Sequence, residues 1–177
     1  MTLTAVDNTA GSGVKKIHYS LAGAVSGGGV ASGAVTAVPV SAEGVTTLTY
    51  FARDNAGNQE AAKTLTVRID KSGPVIAGLP EPGCTLWPPT HELTEAGKVT
   101  PGGSLSGIVA GSLSVTATSN EPEAGLGEGD LGPDVVITGG VVFLRAERSA
   151  RGSGRLYTIA ATVTDLAGNV AKATARR

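Results

Sequence analysis

"VTTLTYFARDNAGNQEAAKTLTVRID" (residues 45–70) and "YTIAATVTDLAGNVAKATARR" (residues 157–177) carry one five-residue pattern, Asp-x-Ala-Gly-Asn, starting at Asp54 and at Asp165. Aligning Asp54 with Asp165 places Leu48, Tyr50 and Ala52 on Ile159, Ala161 and Val163. The intervening Thr47, Thr49, Phe51 and Arg53 fall on Thr158, Ala160, Thr162 and Thr164. One face is apolar and the other mostly polar in both copies, the period-2 signature of a half-buried strand. A second strand pattern follows each loop, so each copy reads strand, turn, strand. Every position of the loop has a local structural use. Asp54 or Asp165 accepts N–H bonds across the turn, Gly57 or Gly168 takes positive φ, and Asn58 or Asn169 bonds the returning backbone. The pattern therefore reads as a turn, with a duplicated ligand loop as the alternative.

Composition extends this reading to the whole chain. The 177 residues include 26 glycines and only six aromatic residues. Frequent Thr and Val punctuated by Gly is the profile of short strands and tight turns. No run of Ala, Leu, Glu and Lys holds helical spacing, so the predicted class is all-β. Strands are expected near 2–6, 14–21, 34–40, 45–53 and 62–69, and then at 112–119, 134–138, 141–148, 155–164 and 170–175. Gly139-Gly140, between two β-branched runs, signals a two-residue hairpin. "ERSARGSGRLY" (147–157) reads as a longer turn closing the next hairpin. The segment "DKSGPVIAGLPEPG" (70–83) is rich in Pro and Gly, which marks an extended connector. It divides the chain into two expected modules, 1–72 and 73–177.

The formal net charge is −1, which shows no footprint for nucleic acid or an anionic membrane. The local group Arg145, Arg148, Arg151 and Arg155 reads as a solvated strand-and-turn face. The single cysteine, Cys84, allows no internal disulfide and reads as a small apolar packer. No apolar run approaches the ~18 residues of a membrane span, and no secretion signal is visible at the N-terminus.

The first module, with "LTAVDNTAGSGVKKIHYSL" and the 45–70 stretch, resembles the bacterial immunoglobulin-like repeats strung along secreted and cell-surface proteins. The second, with "LWPPTHEL", "SVTATSNEP", "GEGDLGPDVVITG", "LRAERSARGSGRLYTI" and "VTDLAGN", resembles an immunoglobulin-like or HYR-like module of bacterial extracellular proteins. These resemblances imply two β-sandwich modules in tandem, an extracellular or cell-surface setting, and a non-catalytic spacer or adhesive role. Such repeats open with a further strand before "LTAVD", so the first module is expected to lack its first strand. An edge left open in this way could pair with a second copy; monomer and edge-strand dimer both remain expectations. The second module's relatives often carry a cysteine pair that this chain does not have.

The strongest candidate site is the acidic stretch "NEPEAGLGEGDLGPD" (120–134). Glu128, Asp130 and Asp134 offer hard oxygen ligands on a Gly-rich loop, which suits Ca²⁺, although the spacing is not that of an EF-hand. Solvated surface carboxylates are the plainer reading. Enzymatic readings lack a motif: His18 and His91 fall in different modules, with no Cys or His at ligand spacing. Glu121 and Glu147 could be paired as glycosidase carboxylates, but Glu147 alternates with Arg145, as in cross-strand ion pairs. Trp87, beside Pro88-Pro89, is expected to anchor the module's opening strand on the core. Were Trp87, Tyr157 and Phe143 to line a surface cleft instead, the alternative would gain: a ligand-binding accessory module for carbohydrate or protein, its acidic loop shaped by calcium.

Overall fold

The computed structural model describes residues 1–81, 83–123, 131–149 and 154–177. Among these, every regular element is a β-strand and every pairing between strands is antiparallel. The all-β class predicted from composition is thus correct. Among the described residues no helix is long and apolar enough to cross a membrane. The chain divides into two compact units, Met1–Lys71 and Ser72–Arg177.

In the first unit, β1 (Thr2–Thr4) pairs with β4 (Val35–Ala37). A four-stranded sheet has the order β3 (Gly27–Ser32), β2 (Val14–Gly23), β5 (Gly44–Asp54), β6 (Lys63–Ile69). Leu3, Ile17, Val38 and Leu48 form the buried core, drawing on both sheets. The sequence reading has no strand at 27–32, a stretch that opens on Gly27, Gly28 and Gly29. The structure puts that triplet on β2, with Tyr19 opposite Gly29. A Cβ on Gly29 would stand 2.9 Å from the Tyr19 hydroxyl, so the missing side chain makes room for the phenol ring.

Among its described residues the second unit has two three-stranded sheets and one two-stranded sheet. One sheet runs β10 (Ser114–Ser119), β13 (Tyr157–Thr164), β14 (Val170–Arg176), and another β11 (Val135–Thr138), β12 (Val141–Arg145), β8 (Leu93–Lys98). The third pairs β7 (Val75–Ala77) with β9 (Thr100–Gly102). Strand β13 alternates buried and half-buried residues along its whole length. Its Tyr157, Ile159 and Ala161 join Val142 and Leu144 of β12 in one core. Full burial of side chains such as Ile159 or Leu144 stabilises the fold by about 1.5–3 kcal/mol each.

The duplicated pattern forms the expected turn in both places. Asp54 Oδ1 accepts from the Asn58 backbone N–H at 2.7 Å, and Asp165 Oδ1 from that of Asn169 at 2.8 Å. Each Asn amide returns to the other oxygen of its Asp, at 2.7 and 2.9 Å. Gly57 and Gly168 have φ of 97° and 90°. The Gly139-Gly140 hairpin is also present, joining β11 to β12 with φ of 57° and 83°. One reading of a connection is corrected. Residues 147–157 do not close a hairpin, because β12 pairs with β11 and β8 whereas β13 pairs with β10 and β14. The chain leaves one sheet at Arg145 and joins the other at Tyr157.

Candidate functional site

Past the end of β12 the chain stays buried for two further residues. Arg145, Ala146 and Glu147 are all buried, and charged side chains in that position require partners. Arg145 donates from Nε and Nη2 to the Pro133 carbonyl at 3.1 and 2.8 Å, and from Nη1 to the His91 carbonyl at 2.7 Å. His91 has φ of 61°, and its N–H donates in turn to the Ala146 carbonyl at 3.0 Å.

Arg155 enters the same region from the start of β13, with only 2% of its side chain exposed. Nη1 donates to the Asp134 carboxylate and lies 3.3 Å from the Tyr157 hydroxyl. Nη2 donates to the Pro122 carbonyl at 3.0 Å and stands 3.5 Å from Glu147 Oε1. Nε faces Glu121 Oε2 at 3.5 Å. The Tyr157 hydroxyl donates to the Arg145 carbonyl at 2.9 Å. Glu121 also accepts from the Ser149 N–H at 2.8 Å, and His91 Nδ1 lies 3.2 Å from Glu147 Oε2.

Burial pushes the Glu147 carboxyl above its ordinary value; His91 opposes that shift and neighbouring Asp134 reinforces it. Burial works against charge on Arg155, but Tyr157 and Asp134 outweigh it and hold the guanidinium above its usual range. Burial likewise raises the Tyr157 phenol. Asp134 Oδ1 and Glu147 Oε1 have no hydrogen-bond donor among the described residues.

Two expectations fail here for one reason. The basic group is not a solvated face: Arg145 and Arg155 are buried, Arg148 is exposed, and Arg151 lies outside the described residues. Glu147 does not alternate with Arg145 along a strand facing cross-strand partners: β12 ends at Arg145, and Glu147 meets Arg155 and His91. Sequence spacing suggests neighbours along a strand; the actual partners are brought in by the crossing between sheets. Of the calcium candidates, Asp134 is buried against Arg155 and 3.8 Å from Arg145 Nε, whereas Glu128 and Asp130 lie outside the described residues. Among the described residues no three His, Cys, Asp or Glu side chains are grouped to hold a metal ion. What sequence reasoning missed is convergence. "LWPPTHEL", "SNEP", "LGPD" and "LRAERS…GRLY" each contribute to the surroundings of Arg145 and Arg155. The one available signal was charge inside otherwise apolar strand ends.

Beside the cluster is a cleft of about 560 Å³, lined in part by Trp87, Arg148, Arg155, Tyr157 and Arg176. Trp87 does not anchor the core: it is 72% exposed, with Pro89 also on the cleft wall. Tyr157 lines the same cleft but is itself buried, and Phe143 is half-buried in β12 away from it. Cys84 is half-buried on the wall. No family model matches the chain, and no curated protein is a significant match.

Proposed function

We propose that the chain is a tandem of immunoglobulin-like β-sandwich modules that serves a bacterial extracellular or cell-surface protein as a non-catalytic spacer or adhesive segment. The Arg155 cluster carries this reading. The nitrogens of Arg145 and Arg155 are turned onto the chain's own carbonyls and carboxylates, so the densest charge in the described residues fastens loops to strand ends. Groups engaged in that way brace a module and are poorly placed to turn over a substrate. Single-molecule extension of the full chain tests the proposal. Two discrete events are expected, releasing roughly 350–380 Å for residues 72–177 and roughly 230–260 Å for 1–71, less the native end-to-end distances. Smooth extension with no discrete event would sink the spacer reading.

A second reading, an accessory module that binds carbohydrate or protein, is favoured by one observation: the exposed indole of Trp87 on the cleft. Calcium at Glu128, Asp130 and Asp134 supports that reading less directly, because an ion on Asp134 must displace guanidinium groups. A thermal melt in excess EDTA, repeated in millimolar Ca²⁺, decides the point. A ligand of the folded state raises the midpoint by mass action; an unchanged midpoint leaves the accessory reading to the cleft alone.

A further inference from the structure

We infer that the Trp87 cleft is a binding site for an acidic sugar, a pyranose ring bearing a carboxylate or a sulfate. This rests on the accessory-module reading and gives it a ligand class. Five arginines and one carboxylate, Glu147, are among the described residues lining the cleft, on a chain whose formal charge is −1. Arg145 and Arg155 are directed inward, as described above, and the cluster also countercharges Glu147. Arg148 and Arg176 differ. Both are exposed, and neither side chain makes a hydrogen bond or ion pair among the described residues. Arg177, half-buried, donates from Nη1 to the Ala96 carbonyl at 3.1 Å, while its Nε has no partner.

An exposed indole and outward guanidinium groups match the two chemistries of an acidic sugar. The flat apolar face of the ring stacks on the indole, and the anion takes two parallel N–H bonds from an arginine fork. The cleft volume falls within the ~300–1,000 Å³ of small-ligand sites. An acidic peptide fits less well. Linear peptides draw much of their affinity from a main-chain ladder along a sheet edge. This cleft is walled by the 83–89 segment and by strand ends, at Arg145, Tyr157 and Arg176.

Trp87 is the only tryptophan, so its fluorescence reports on the cleft directly. The full chain is titrated, by fluorescence and by calorimetry, with a galacturonic acid trimer, a sulfated galactose trimer, a neutral galactose trimer and a triglutamate peptide. At least one acidic sugar is expected to bind saturably and more weakly in added salt, with the neutral trimer and the peptide at least about tenfold weaker. Arg148→Ala and Arg176→Ala, both at exposed positions, should each weaken the acidic sugar by about tenfold, and Trp87→Ala should abolish the fluorescence response and weaken the calorimetric binding. Equal or better binding of the neutral trimer or the peptide, lost in Trp87→Ala, overturns the acidic-sugar assignment but keeps the cleft as a site. Absence of binding by all four probes at millimolar concentration overturns both. If the carboxylated and sulfated trimers differ, the preferred one identifies the anion.

Discussion

Removing the Arg155 guanidinium leaves Asp134, Glu147 and Glu121, each with more than nine-tenths of its side chain buried, without their shared cation. Breaking a buried pair from one side costs about 3–5 kcal/mol. Arg155→Met keeps most of the volume and is expected to destabilise the second unit by that amount, read from denaturant unfolding followed by hydrogen exchange in residues 72–177. Part of the loss should return on acidification, because carboxylates without a countercharge accept protons. A loss under about 1 kcal/mol would mean that water already reaches the cluster. Glu147 supplies the pH test. Its folded pKa lies above the ordinary 4.5 because burial disfavours its charge. Its contribution to stability is therefore complete below pH 4.5 and lost as pH rises through the folded value. Relative to Glu147→Gln, the native protein should gain stability as pH falls from neutral toward 4.5 and then level off. A difference between the two proteins that stays flat across that range contradicts the assigned direction.

Turns discriminate at the scale of the element. Gly139 and Gly140 both have positive φ, but their surroundings differ. A Cβ on Gly140 would stand 2.5 Å from the Val99 carbonyl oxygen, whereas one on Gly139 meets nothing within 4 Å. Gly140→Ala is expected to cost at least about 2 kcal/mol, from left-handed backbone strain together with the clash. Gly139→Asn should fall within about 0.5 kcal/mol of the native protein, since Asn tolerates that conformation. Urea midpoints of the two variants compare them directly, and similar costs would mean that β11 and β12 can shift to relieve the contact. The paired Asp turns also separate. Asp165 is 1% exposed and holds the Ala167 and Asn169 backbone N–H groups. Asp54 lies nearer solvent, and its carboxyl is held below the usual range first by the Asn58 amide. Asp165→Ala should cost about 2 kcal/mol and Asp54→Ala less, so that one sequence pattern carries different weight in the two units.

Across the whole molecule, the two units differ in how much they bury. Among the described residues, four buried apolar residues lie in the first unit and nine in the second, and a unit of about 70 residues sits near the lower limit for a self-sufficient core. In native-state hydrogen exchange, the amides of Ile159 and Val163 in β13 should open only at higher free energy than those of Ile17 in β2 and Leu48 in β5. The reverse order would show that ladder hydrogen bonds, not apolar burial, set the ranking.

The chain's residues were sufficient for strand type, the duplicated turn and the β11–β12 hairpin. Each depends on interactions within a few positions: side-chain alternation, an Asp accepting from N–H groups two to four residues on, glycine at positive φ. Strand β3 escaped because three glycines have no side chains to alternate; what defines it is its ladder with β2, where Tyr19 lies opposite Gly29. Only tertiary structure could turn Arg145 and Arg155 inward and Trp87 outward. Burial of a charge depends on what arrives beside it, and here the partners come from 91, 121, 133 and 134, far along the chain and unmarked by any local pattern. Described residues on either side of the crossing between sheets, Arg148 and Arg155 among them, also line the cleft, so architecture was readable residue by residue and the site was not.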